Sequence, residues 1–86
     1  MSLTDTQVLE TIKDLNALPK YSHQKPLIDE LVIEESDGVF WLMDPVKLGE
    51  GFGFAYKTLK DAIRSFDISL TGYDHENQRW LVSVNS

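Results

Sequence analysis

The chain has 86 residues, with fourteen acidic side chains against eight Lys and Arg, a formal net charge of −6, and no cysteine. A length like this makes one small domain, and the missing cysteines exclude disulfide scaffolds, thiolate metal sites and cysteine nucleophiles. The acidity argues against binding nucleic acid or an anionic membrane, because both need Lys and Arg at phosphates.

A hydrophobic fraction of 42 % is that of a folded globule, not an acidic disordered tail. Residues 1–37 carry eight acids and three bases, while residues 38–86 carry six and five, so the negative charge sits mainly in the first half. No apolar run approaches the length of a membrane span, and Met1–Asp5 lacks the basic and apolar regions of a signal peptide. A cytoplasmic location is therefore expected.

The first element reads as a helix over about residues 5–17. Thr4 followed by Gln7 fits a capping box, and Asp5 sits near the positive end of the helix dipole. Val8, Ile12 and Leu15 recur at helical spacing with Leu9 beside them, and Asn16 and Pro19 mark the stop. Residues 18–27, with two prolines, form a connector.

Residues 26–35 admit two readings. Pro26 could open a short helix with Leu27, Ile28, Leu31 and Val32 on one face. Alternatively, a strand from Glu30 to Glu35 turns through Ser36-Asp37-Gly38 into Val39–Met43. Asp-Gly between two β-rich runs favours the hairpin.

Asp44-Pro45 ends that second strand, since proline cannot donate to a ladder. Residues 49–54 form a glycine-interrupted loop. Thr58, with Asp61 three residues on, caps a second helix whose apolar stripe is Leu59, Ala62, Ile63 and Phe66. Ile68 and Leu70 then alternate with polar residues into Gly72-Tyr73, and Trp80, Val82 and Val84 alternate after the polar loop 74–78. The expectation is one α+β domain over residues 1–86. It is a two-layer sandwich with a four-stranded, mainly antiparallel sheet and two helices, in the order α-β-β-α-β-β.

Lys47-Leu48-Gly49-Glu50-Gly51-Phe52-Gly53 resembles the glycine-rich loop of protein kinases, whose backbone amides approach ATP phosphates. The last glycine comes one residue early, the string leads into a helix and not a strand, and 86 residues cannot hold a kinase domain. The glycines are better explained by close backbone packing, with Phe52 and Phe54 tucked beneath the loop. A small anion or nucleotide at Gly49, Gly51, Gly53 and Lys57 is the alternative use of this segment.

Tyr73-Asp74-His75-Glu76-Asn77 gathers possible metal ligands, yet adjacent residues rarely chelate one ion together, so a polar hairpin tip is expected. No Gly-x-Ser-x-Gly elbow occurs, and no catalytic residue, cofactor or metal is expected.

Two surfaces remain. If Phe40 and Leu42 enter the core, strand alternation puts Trp41 and Met43 on the other face, and Trp80 raises the same question on the last strand. An exposed aromatic sheet face would favour a non-catalytic binding module that pairs with itself as a homodimer. Asp29, Glu30, Glu34, Glu35 and Asp37 form a run with no base among them. Such a run could instead mimic nucleic-acid phosphates toward a basic protein partner.

Overall fold

The computed structural model describes residues 3–26, 30–45 and 53–85. Helix α1 (Asp5–Asn16) starts at Thr4, whose side chain accepts from the Gln7 amide while the Gln7 side chain accepts from the Thr4 amide. This capping box contributes on the order of 1 kcal/mol by satisfying donors the helix itself cannot reach. Strands β1 (Glu30–Ser36) and β2 (Val39–Met43) form the expected hairpin, so residues 30–35 are strand and not helix. Asp37 and Gly38 both have positive φ, 53° and 76°, the backbone of the tight two-residue turn that matches strand twist.

A third strand, β3 (Phe54–Tyr56), pairs with β2 and precedes helix α2 (Leu59–Arg64). The second hairpin joins β4 (Ile68–Asp74) to β5 (Arg79–Val84). The α+β class is as expected, but the sheet has five strands and not four, in the spatial order β3-β2-β1-β5-β4. Element order is accordingly α-β-β-β-α-β-β. Phe-Ala-Tyr is too short to display a period-2 pattern, and its pairing depends on β2 being alongside, which sequence inspection does not supply. All neighbouring strands run antiparallel, and β5 returns beside β1 so that both hairpins meet at the sheet centre.

Both helices cover one face. Val8 of α1 and Ala62 and Ile63 of α2 pack in one core with Leu31, Ile33, Leu42, Ile68, Leu70, Trp80 and Val82. Ile33, Leu42, Ile63 and Ile68 are almost wholly inaccessible. Burying each contributes roughly 1.5–3 kcal/mol relative to leaving it exposed.

A bulge between Leu70 and Gly72 shifts the alternation of β4. Leu70 and Tyr73 both face the helices as a result, whereas Gly72 sits on the far side opposite Leu81. At the bulge the Asn16 side chain, from the end of α1, donates to the Leu70 carbonyl and accepts from the Leu70 amide, both at 2.9 Å. One carboxamide thus satisfies the outward-facing backbone of an edge strand and blocks it as a template for another chain.

The connector after α1 is fastened to the end of α2. The Arg64 Nε donates to the Pro19 carbonyl, its Nη1 donates to the Tyr21 hydroxyl, and the guanidinium lies 3.9 Å over the Tyr21 ring. Lys20 Nζ donates to the Ile63 carbonyl, placing a cation at the negative end of a helix. Partial burial lowers the Lys20 pKa, with the Asp67 carboxylate opposing that change and the Arg64 charge adding to it.

Candidate interaction surface

The face of the sheet opposite the helices consists of rows of side chains set by strand register. Met43, Val32, Leu81 and Gly72 lie opposite one another across β2, β1, β5 and β4. The next row is Trp41, Glu34, Arg79 and Asp74, with Ala55 of β3 beside Trp41. Ser83 and Glu30 follow at the other end of β5 and β1.

Val32 is 3 % exposed, although it does not belong to the helix-side core. In its own row it stands between Met43 on one side and Leu81 on the other. Trp41 and Leu81 nevertheless keep 37 % and 39 % of their surfaces in solvent. Gly72 leaves the space into which Leu81 extends, since a Cβ there would sit 3.6 Å from Leu81 Cδ1. Gly53 does the same on the other flank. A Cβ on it would lie 3.3 Å from the Leu42 carbonyl oxygen and 3.7 Å from the Trp41 ring, so the chain passes close beneath the indole.

The charged row is compensated in part, with one base between two acids. Arg79 lies between Glu34 and Asp74, and its Nε is 3.5 Å from an Asp74 carboxylate oxygen. Asp74 also accepts from the backbone amides of Glu76 and Asn77 and from the Asn77 side chain. The Asn77 bonds are the main reason that its carboxyl stays below the usual carboxylate range. The residues that looked like a metal cluster thus close the β4–β5 turn, and among the described residues no group of three potential ligands converges.

The sequence-derived candidates fall in different places. Trp41 and Met43 share the helix-free face, as alternation required. Trp80 does not join them: it faces the helices, is 7 % exposed, and packs edge-to-face on Tyr73 with ring centroids 4.8 Å apart. Its place on the open face is taken by Leu81, which a reading centred on aromatics passes over. Phe54 is 54 % exposed at the sheet edge, where its ring meets Phe66 at 5.2 Å, and so it is not tucked into the core.

The acid run is divided. Glu30 and Glu34 are on the open face, Glu35 is on the helix side opposite Phe40, and Asp37 is at the hairpin turn. Asp29 lies outside the described residues, as do Gly49 and Gly51. Gly53 precedes β3, and Lys57 follows it as an exposed residue ahead of the α2 cap.

No known family model matches this chain, and no curated protein or solved structure shows significant similarity to it. Among the described residues no helix is long and apolar enough to cross a membrane.

Proposed function

We propose that this chain is a non-catalytic binding module of the cytoplasm that pairs with a second copy of itself through the helix-free face of its sheet. The observation that carries this reading is the row Met43–Val32–Leu81, with Trp41 beside it. It is a continuous apolar strip on a face that no described helix covers. A like-with-like contact suits it because an isologous interface needs each copy to present the same self-complementary patch. The strip is uncharged in a chain of net charge −6, and Arg79 offsets Asp74 at the end of the face. The strip itself therefore brings no charge to the contact.

Size supports the same reading. The molecule is 31 × 30 Å in its broad dimensions and 22 Å thick. A broad face of that size is comparable to the ~800 Å² per partner that a standard interface buries.

Sedimentation equilibrium over a wide concentration range, at low and high salt, tests the proposal. The expected result is a dimer whose affinity barely changes with salt and which Leu81→Lys converts to monomer. Circular dichroism serves as the check that the variant remains folded. A monomer at every concentration would overturn the proposal, and so would a dimer that Leu81→Lys leaves intact.

A further inference from the structure

The second feature of the molecule lies on the opposite side of the sheet. Helix α1 packs along β4 and helix α2 along β2 and β3, leaving a gap over the sheet centre toward the hairpin tips. The gap is a cleft of about 330 Å³, at the small end of the range for ligand sites. Ile33 and Trp80, paired on β1 and β5, lie at its base. Phe40, Leu59 and Tyr73 add apolar walls, and Glu35, exposed at the rim, is the one charged residue among the described lining residues.

We propose that this cleft binds a small organic cation, with an ammonium head held by Glu35 and an apolar body lying among Tyr73, Trp80 and Phe40. Three observations lead to that chemistry. First, no lysine or arginine is among the described residues that line the cleft, and Glu35 is the one lining residue among them that carries a charge. Second, Glu35 is an exposed residue of β1 at the rim of the cleft, so its carboxylate is open to a ligand entering from solvent.

Third, the walls are aromatic. Tyr73 and Trp80 stand edge-to-face with 66° between their planes, and Phe40 sits opposite Glu35 across the β1–β2 ladder. Aromatic rings set at an angle around an acidic group attract an ammonium ion through their electron-rich faces and receive its hydrocarbon at the same time. An anionic ligand would meet the carboxylate unfavourably. A neutral apolar molecule would fill the walls but leave Glu35 unused.

The test is a titration of the isotopically labelled full chain by two-dimensional NMR, using benzylamine and, separately, its neutral counterpart benzyl alcohol. Benzylamine is expected to give saturable shifts at Glu35, Tyr73 and the Trp80 indole. Benzyl alcohol should bind at least about tenfold more weakly, because it lacks the charge-assisted bond. Glu35→Gln retains the shape and should remove the preference for the amine without unfolding the chain. The proposal is overturned if the amine produces no saturable shifts, if both compounds bind equally, or if Glu35→Gln keeps the preference. Shifts confined to Trp41 and Leu81 would overturn it as well, since they would assign the amine to the opposite face.

Discussion

Val32 and Ile33 are consecutive on β1, point to opposite faces, and are 3 % and 0 % exposed. Their burial has different origins. Ile33 lies beneath the two helices, in a core closed by residues from both ends of the chain. Val32 stands on the other face between Met43 and Leu81, and Leu81 is itself partly in water. The helix-side face buries its central residue within the chain's own core, at the foot of the cleft. The open face buries its central residue but leaves flanking side chains exposed, which is the condition under which a second surface adds stability.

The largest effect should separate these two neighbours. Ile33→Ala removes three buried carbons from a packed core and is expected to cost about 2–5 kcal/mol, a large part of the total for so small a domain. Val32→Ala, on the face that no described helix covers, should cost less than half as much in dilute solution. Urea denaturation of both variants at low and high protein concentration makes the comparison. Equal losses would mean that the open face is already as well packed as the core. A Val32→Ala loss that grows with concentration would tie that face to pairing.

The two sheet edges differ in a similar way. At β4, Asn16 occupies the backbone of Leu70, whereas β3 is protected mainly by being three residues long. Asn16→Ala should cost roughly 1–3 kcal/mol by leaving a part-buried amide and carbonyl without partners. It should also expose β4 to edge-to-edge pairing. Thermal melts give the first effect and light scattering the second. Unchanged values in both would show that the outer edge of β4 is satisfied without Asn16.

Much of this architecture was legible because the signals are local. Thr4 with Gln7, Thr58 with Asp61, and Asp37-Gly38 each act within a few residues, and each stands where its chemistry predicts. What sequence could not supply depends on neighbours distant along the chain. Strand β3 exists because β2 offers it a ladder, and Tyr73 turns inward because the bulge at Leu70 shifts the alternation. The candidate surface was half legible for the same reason. Trp41 and Met43 follow from alternation once Leu42 is placed in the core. Trp80 and Leu81 could be sorted only when β5 was known to lie beside β1, where Ile33 faces Trp80 and Val32 faces Leu81. The acidic run divides because strand period outranks sequence adjacency: Glu34 and Glu35 are bonded neighbours on opposite faces.

A smaller effect should distinguish the two tryptophans. Gly53→Ala places a methyl 3.3 Å from the Leu42 carbonyl oxygen and 3.7 Å from the Trp41 ring. The contact with the backbone is unfavourable, while a less flexible unfolded chain favours the alanine by about 0.4–1 kcal/mol. The net change in stability should therefore be under about 1 kcal/mol. The Trp41 indole resonance should shift and the Trp80 indole should not. A shift at Trp80 of comparable size would mean that the two faces are mechanically coupled through the sheet.

The smallest effect concerns Asp74, which ends the charged row of the open face and also closes the β4–β5 turn. Its folded pKa lies below the ordinary 3.8, chiefly through hydrogen bonds from the Asn77 side chain and backbone. A depressed carboxylate pKa means that the charged form is favoured in the folded state. The stabilisation is then fully present above the unfolded value and fades as pH falls through the lower, folded one. Asn77→Ala removes the leading contribution, so a carboxyl NMR titration should find Asp74 moved up toward 3.8. Denaturation curves between pH 2 and 6 should likewise show a weaker acid dependence for the variant than for the wild-type chain. If the Asp74 titration does not move, the Asn77 side chain is not what holds its pKa down, and the backbone amides of Glu76 and residue 77 become the leading cause. The end of the charged row would then be held mainly by the backbone of the β4–β5 turn, whatever side chain stands at position 77.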